Sequence, residues 1–302
     1  MKKPLLITIV GPTAVGKTSI AIQLAKELRT IILSADSRQF FRETSIGTAK
    51  PSSAQLSEVP HYFIDHLSIH DFYSVGDFER DALAFLSQHF LHSPYALAVG
   101  GSGLYINALT QGLDELPQVP ESLREEIMQE VEMHGLDPLV KELETNDPAY
   151  FEAVDKNNVQ RIVRAIEVFR HTGHPISSFW GRKPKERPFD LLSIGITAER
   201  NALYATIDNR VDEMMAAGLE EEAKKLYVHK DLYALQTVGY KELFDHFDGL
   251  HSLEEAVSLI KRNTRRYAKR QLTWFRKDLS THWFQNNEAD KIVAFVRNAL
   301  ES

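Results

Sequence analysis

The order of apolar and polar positions at the start of the chain predicts a strand, a loop and a helix. Residues 4–10 (PLLITIV) form an apolar run rich in β-branched side chains, which is typical of a buried strand. Ile20, Leu24 and Leu28 recur at helical spacing and predict a helix over residues 17–28. A Gly-rich turn separates the two elements.

The same criteria place further elements along the chain. In chain order they predict a strand over 31–34 that leads to Asp36, a helix over 75–90, a strand over 95–99 that stops at Gly100 and Gly101, a strand over 191–197 and a long helix over 252–278. Alternating strands and helices predict an α/β fold, with a mostly parallel sheet flanked by helices on both faces.

The pattern changes in the middle of the chain. From about Leu116 the prolines Pro117 and Pro120 are followed by charged helical segments through His171, with scarcely a strand candidate. We therefore expect a helical insertion domain over 116–188, and an α/β core formed by 1–115 and 189–302.

Composition limits the possible classes of protein. The chain has 302 residues, of which 43% are hydrophobic and 25% charged, as in globular proteins with a substantial core. It contains no cysteine, which excludes disulfides and thiolate metal sites and agrees with a cytoplasmic location. No apolar run reaches about 18 residues, so we expect no membrane association. We also expect a monomer.

Charge is distributed unevenly. The formal net charge is −7, which on its own argues weakly against nucleic-acid binding. However, eight of the 35 Lys and Arg residues lie between Lys261 and Lys277, where no acidic residue occurs. This asymmetry is typical of an acidic protein with one basic surface, although a solvated helix face explains the run about equally well.

The loop after the first strand matches G-x-x-x-x-G-K-[ST]. Its residues are Gly11, Pro12, Thr13, Ala14, Val15, Gly16, Lys17 and Thr18. In such a loop backbone N–H groups point at phosphates, Lys17 adds a mobile positive charge and the Thr18 hydroxyl can ligate Mg²⁺. The ligand should therefore be a diphosphate or a triphosphate.

The loop alone does not distinguish a nucleotide from a diphosphate leaving group on carbon. Many NTPases carry a second apolar strand that ends in an acid and orders Mg²⁺. Here the 95–99 strand ends in GGSGLY, and the nearest acid at a strand end is Asp36.

Six blocks of sequence resemble those of the tRNA dimethylallyltransferases, in the same order. They are GPTAVGKT (11–18), ADSRQ (35–39), IGTAKP (46–51), GGSGLY (100–105), QRIVRA (160–165) and TRRYAKRQLTWFR (264–276). The resemblance covers nearly the whole chain. It implies a P-loop core with an inserted helical domain, and transfer of the dimethylallyl group of dimethylallyl diphosphate to the adenosine 3′ to the anticodon of tRNA.

The resemblance also implies roles for individual residues. Asp36 matches the general base that takes the proton of the adenine amine, while the P-loop, Lys17 and Mg²⁺ on Thr18 would stabilise the departing diphosphate. Asp36 at a strand end could instead serve as a turn cap. Ser102 stands where the family more often has threonine, so its hydroxyl is kept as a catalytic candidate beside the alternative of a purely geometric turn.

Further residues are implied for substrate binding. Arg210 matches an arginine directed at the diphosphate, the alternative being an ion pair with Glu213. Gln39 matches the residue that reads the target base, within the block that also supplies Ser37 and Arg38. The implied tRNA contacts elsewhere are Arg124, Gln160, Arg161, Ile162, Val163 and Arg164.

One alternative function uses the same loop. A P-loop kinase of a small molecule or nucleoside would explain the phosphate-binding motif, with Asp36 activating a substrate hydroxyl. It would not explain the basic segment near the end of the chain or the arginines of the insertion.

Overall fold

The computed structural model describes residues 3–114, 116–181 and 185–301. The described residues divide into two compact units. One contains the residues up to Gln111 and those from Glu186 onward, and the other runs from Gly112 to Lys185, compared with expected bounds of 116 and 188.

The first unit is built on a six-stranded sheet with the strand order β3-β2-β4-β1-β5-β6. The strands are β1 (Leu5–Val10), β2 (Ile32–Ser34), β3 (His61–Tyr62), β4 (Tyr95–Gly100), β5 (Asp190–Thr197) and β6 (His282–Gln285). All neighbouring pairs are parallel, and Val10 at the end of β1 lies beside Gly100 and Gly195. This confirms the expected α/β class and brings the carboxyl ends of the strands to one edge.

The helices follow in chain order. They are α1 (Lys17–Leu28), α2 (Ser53–Glu58), α3 (Val75–His89), α4 (Gly103–Gln111), α5 (Glu121–His134), α6 (Asp137–Asn146), α7 (Pro148–Ala153), α8 (Val159–Thr172), α9 (Arg200–Ala216), α10 (Leu219–Leu226), α11 (Tyr240–Phe247), α12 (Leu253–Phe275) and α13 (Ala289–Glu301). None of these helices, within the parts of the chain that are described, has the length and apolar character needed to span a bilayer.

Two apolar cores cover the two faces of the sheet. Successive strand residues point to opposite faces, so Leu6 and Val10 of β1 belong to one core while Ile7 and Ile9 belong to the other. The helical unit has a core of its own around Ile162, where α8 packs with α5 and α6. The sheet is thus buried on both sides, and only its ends and edges remain for binding.

Candidate active site

The P-loop joins β1 to α1 in a conformation that its glycines permit. Gly11 has φ 146°, and a Cβ there would lie 2.3 Å from the Ile196 carbonyl oxygen. Gly16 caps α1 with φ 95°. A side chain at Gly11 would therefore push the loop away from β5, so the sequence motif reflects a close approach of two backbones.

Lys17 folds back over its own loop. Its Nζ donates to the carbonyl oxygens of Gly11 at 3.0 Å and Pro12 at 2.7 Å. Burial lowers the pKa of Lys17 to about 8, an effect that Asp36 opposes and Arg210 reinforces. An ammonium in such surroundings lacks a full counter-charge, which an anionic ligand would provide.

Asp36 follows β2 and lies at the junction of two cavities. Its Oδ1 accepts a hydrogen bond from the backbone N–H of Arg38 at 3.1 Å, which is the geometry of a side-chain-capped turn. The carboxylate lines both cavities described below. Asp36 therefore caps the turn and also faces the site.

The two cavities adjoin. The P-loop cavity, of about 600 Å³, is lined by Ala14–Thr18 of the loop together with Gln39, Asn209 and Glu213. The α12 cavity, of about 610 Å³, is lined by Arg266, Tyr267, Arg270 and other residues of α12 and its surroundings. Both cavities are bordered by Thr13, Lys17, Asp36, Thr48, Ala49 and Arg210.

Ser102 follows β4 and lies against the Asp36 segment. Its Oγ accepts a hydrogen bond from the Ser37 backbone N–H at 3.1 Å and lies 3.2 Å from the Ser37 hydroxyl. Burial, together with the charge of Asp36, raises the pKa of Tyr267 to about 12, while the neighbouring Ser102 hydroxyl acts in the opposite direction. Ser102 thus lies between the turn after β2 and Tyr267 of α12.

The glycines that flank Ser102 allow this connection. A Cβ at Gly100 would lie 2.2 Å from the carbonyl oxygen of Ala35, and one at Gly103 would lie 2.1 Å from the Trp274 ring. The geometric interpretation of GGSGLY is therefore correct for the glycines, and the serine hydroxyl makes polar contacts in addition.

Gln39 and Arg38 both have partners within the protein. The Gln39 amide accepts from the Ser34 hydroxyl at 3.0 Å and donates to the carbonyls of Thr48 and Ala49 at 3.4 and 3.3 Å. Arg38 donates to the carbonyls of Tyr233 and Ala234 at 2.9 and 3.1 Å. Both side chains are thereby held in fixed orientations.

Arg210 of α9 faces the P-loop. It donates to Thr13 Oγ1 at 3.5 Å and to the Ala49 carbonyl at 3.3 Å. Burial lowers its pKa, whereas Asp36 and Glu213 act in the opposite direction. Its hydrogen bonds are thus to the P-loop and the Ala49 carbonyl of the site, and Glu213 acts as a neighbouring charge.

Gln271 belongs to the site but was not singled out by the sequence analysis. Gln271 of α12 is 5% exposed, accepts from the Thr13 backbone N–H at 2.8 Å and donates to the Gly101 carbonyl at 2.9 Å. The signal was available, since Gln271 is a polar residue on the face that carries Ala268 and Phe275 at helical spacing.

The basic segment on α12 is divided between ion pairs and the cavity. Lys261 pairs with Asp212 at 2.6 Å, and Arg265 pairs with Asp208. Arg266 and Arg270 line the α12 cavity. Lys261 and Arg265 are therefore paired with acidic residues, whereas Arg266 and Arg270 face the cavity, and nucleic-acid binding by this segment stays a prediction.

The expected tRNA contacts of the helical unit differ in exposure. Gln160 and Arg161 are exposed, whereas Ile162 and Val163 are 0% and 1% exposed. The last two side chains pack inside the unit and form no part of an exposed surface.

Arg124 and Arg164 share one buried carboxylate. Their side chains are 51% and 36% exposed, and both pair with Glu167, at 3.7 and 3.1 Å. The Glu167 side chain is only 2% exposed. Arg164 also donates to the Pro117 carbonyl at 3.2 Å. The Arg164 guanidinium is therefore oriented by hydrogen bonds, whereas Arg124 lies only within ion-pair distance of Glu167, and part of each side chain stays accessible.

The fold and the site together define a P-loop α/β protein whose phosphate-binding loop borders a second cavity. A family model described as IPP transferase matches residues 39–278. The tRNA dimethylallyltransferase of Christiangramia forsetii is 52% identical over 288 residues, which cover 95% of each chain. That of Cytophaga hutchinsonii is 48% identical over 98% of this chain and 97% of its own.

Solved structures of similar proteins support the same family and fold. The tRNA isopentenylpyrophosphate transferase of Bacillus halodurans is 38% identical, with a TM-score of 0.74 over 99% of this chain and 97% of its own. A eukaryotic dimethylallyltransferase acting on tRNA, 22% identical with a TM-score of 0.83, shares the fold. The chain belongs to the IPP transferase family.

Proposed function

We propose that this protein transfers the dimethylallyl group of dimethylallyl diphosphate to the exocyclic amine of the adenosine 3′ to the anticodon in tRNA, forming isopentenyladenosine and releasing diphosphate. The observation that carries the proposal is the position of Asp36, whose carboxylate borders both the P-loop cavity and the α12 cavity. One cavity can hold the diphosphate while the other admits the base. Membership of the family supports the assignment.

The chemistry requires a base and a stabilised leaving group. The lone pair of an adenine amine is delocalised into the ring, so the amine attacks carbon poorly unless its proton is removed as the bond forms. Asp36 takes this proton in our proposal. The amine nitrogen bonds to the first carbon of the isoprenoid, the carbon–oxygen bond breaks, and the bonding electrons leave with the diphosphate.

Donors and positive charges of the P-loop cavity bind the diphosphate. Backbone N–H groups of the loop Gly11–Thr18, the Lys17 ammonium and the Arg210 guanidinium stabilise negative charge that grows on the leaving oxygen. Lys17 and Arg210 lie on the border shared with the α12 cavity. They are thus close to where the carbon–oxygen bond breaks.

The P-loop cavity also fits a magnesium ion. Thr18, Asp36 and Glu213 line it with hydroxyl and carboxylate oxygens, the ligands that Mg²⁺ prefers beside those of a diphosphate. When bound there, Mg²⁺ would neutralise part of the diphosphate charge, with the Thr18 hydroxyl as its ligand from the protein.

The RNA side involves two groups of residues. The target base must be turned out of the anticodon loop to reach an enclosed site, where Ser37, Gln39 and the Ser102 hydroxyl contribute polar contacts. Arg124, Gln160, Arg161 and Arg164 of the helical unit contact the anticodon stem-loop in our proposal. A monomeric state and a cytoplasmic location remain predictions.

A labelling experiment tests the proposal. The protein is incubated with Mg²⁺ and labelled dimethylallyl diphosphate, together with an anticodon stem-loop RNA or with AMP. A parallel reaction contains γ-labelled ATP and candidate hydroxyl substrates. We expect label in the stem-loop RNA, and none when the target adenosine is replaced. Label found only in a phosphorylated small molecule would identify a kinase and overturn the proposal.

A further inference from the structure

The Glu222 carboxylate holds the loop that borders both cavities, although Glu222 is not among the residues that line them. Glu222 of α10 accepts hydrogen bonds from the backbone N–H groups of Ser45, Ile46 and Gly47, at 3.0, 2.9 and 3.0 Å. These three residues begin the 45–50 loop, which continues through Thr48 and Ala49. A carboxylate only accepts hydrogen bonds, so three converging N–H groups suit it well.

Tyr240 completes this arrangement from α11. Its hydroxyl donates to Glu222 at 2.6 Å, and a Cβ at Gly47 would lie 2.6 Å from its ring. Tyr240 is fully buried. Burial and the Glu222 carboxylate raise the pKa of Tyr240 well above its usual value, so that the phenol stays a donor. The loop is therefore pressed against Tyr240 and fastened by Glu222.

At the other end of the 45–50 loop, backbone carbonyls accept hydrogen bonds from two side chains of the site, Arg210 and Gln39. The Ala49 carbonyl accepts from Arg210 and from Gln39, at 3.3 Å in each case, and the Thr48 carbonyl accepts from Gln39 at 3.4 Å. Ala49 has φ 49°, which is unfavourable for a residue with a side chain and persists only where neighbouring contacts hold it. Glu222 supplies such contacts two to four residues away.

We infer that Glu222 is a positioning residue, which orients Arg210 toward the diphosphate by fixing the 45–50 loop, whose carbonyls also hold Gln39. This inference rests on the proposed function. Replacing the carboxylate with an amide places an NH₂ group against backbone N–H groups, and two facing donors repel each other. The loop carbonyls then move, and Arg210 and Gln39 lose their fixed orientation.

The test measures diphosphate affinity in a double-mutant cycle. Inorganic diphosphate with Mg²⁺ is titrated calorimetrically into the wild type, Glu222→Gln, Arg210→Ala and the double variant. We expect Glu222→Gln to raise the Kd about tenfold in the wild-type background. In the Arg210→Ala background it should raise the Kd by less than about twofold, because the group through which it acts is gone.

Two further variants keep the result interpretable. Glu221→Gln removes the same charge from an exposed position on the same helix and should leave the Kd unchanged. Tyr240→Phe keeps the ring on Gly47 but removes one hydrogen bond to Glu222, so it should raise the Kd about threefold even if Glu222→Gln does not fold.

The inference is overturned if Glu222→Gln binds diphosphate as Glu221→Gln does, or if its effect is as large without Arg210 as with it. Transfer of the dimethylallyl group to stem-loop RNA is measured separately on the wild type. Failure of that reaction would count against the proposed function, whereas the binding cycle does not depend on it.

Discussion

Gln271 of α12 joins Thr13 of the P-loop to the turn after β4. The Thr13 backbone N–H donates to Gln271 Oε1 at 2.8 Å, and Gln271 Nε2 donates to the Gly101 carbonyl at 2.9 Å. One buried amide thus satisfies a donor and an acceptor from two different segments. The relative position of the phosphate-binding loop and Ser102 depends on this side chain.

Replacing Gln271 with leucine should therefore destabilise the protein. The Thr13 N–H and the Gly101 carbonyl would both lose their partner inside the protein, at a cost on the order of 1–3 kcal/mol each. Urea denaturation measures the free energy of unfolding. Lys269→Gln, at an exposed position on the same helix, is the control. Equal stability of the two variants would contradict the role assigned to the Gln271 amide.

Asp36→Asn separates the base from the turn cap. Asparagine keeps an oxygen that can accept from the Arg38 N–H, so the turn should survive. It cannot take a proton from the adenine amine, and we expect the turnover number to fall about 10²–10⁴-fold. Affinity for stem-loop RNA, measured by filter binding, should change little. Equal losses in turnover and affinity would argue that Asp36 is structural.

The elements that sequence could predict are those determined by local pattern. The first strand, the P-loop and α1 lie where the apolar run, the glycines and the helical spacing place them. The long helix runs from Leu253 to Phe275, close to the expected 252–278, because its Ser252 cap is a local signal. β6 was missed, since four residues at a sheet edge carry too little periodicity to stand out.

The site was less accessible to sequence because its contacts join distant segments. The motif blocks indicated Lys17 and Asp36, but nothing local shows that Glu222 binds the 45–50 loop or that Gln271 reaches Thr13. The partnership of Arg164 with a buried glutamate three residues on could have been suspected from helical spacing. Helical spacing could not show that Glu167 also pairs with Arg124, because Arg124 lies on another helix.

The binding of diphosphate should weaken above about pH 8. Burial lowers the pKa of Lys17 to about 8, so the free protein loses this charge at a pH where an ordinary lysine keeps it. A bound diphosphate favours the ammonium, so binding should take up a proton between about pH 8 and the ordinary pKa of 10.5. Calorimetry in buffers of different ionisation enthalpy measures this uptake.

The lowered pKa of Lys17 should make the folded protein more stable as the pH rises, whereas it makes diphosphate binding weaker. Between about pH 8 and 10.5 the unfolded chain binds more protons at Lys17 than the folded protein does. The cost of burying the ammonium, fully present below pH 8, is therefore relieved as the pH rises through this window. Lys17→Met should abolish both the proton uptake on binding and this contribution to stability. Proton uptake that persists in Lys17→Met would assign it to another group.

Arg161 and Arg164 offer a matched pair for the RNA-binding prediction. Both residues lie on α8. Replacing either one with glutamine removes one positive charge, so the two variants should lose similar amounts of stem-loop affinity and of its salt dependence. Only Arg164→Gln leaves the buried Glu167 carboxylate without its 3.1 Å partner, with Arg124 still 3.7 Å away. It should therefore lower the free energy of unfolding by about 1–3 kcal/mol, whereas Arg161→Gln should not.

Fluorescence anisotropy of labelled stem-loop RNA over a range of salt concentrations measures the first effect, and thermal unfolding measures the second. Glu167→Gln distinguishes the two roles of the carboxylate. If Glu167 only neutralises the arginines, its removal should strengthen RNA binding, since two accessible positive charges remain. If it orients them, binding should weaken despite the added net positive charge. We expect weakening, because Glu167 hydrogen-bonds the Arg164 guanidinium from the buried side and also lies within ion-pair distance of Arg124.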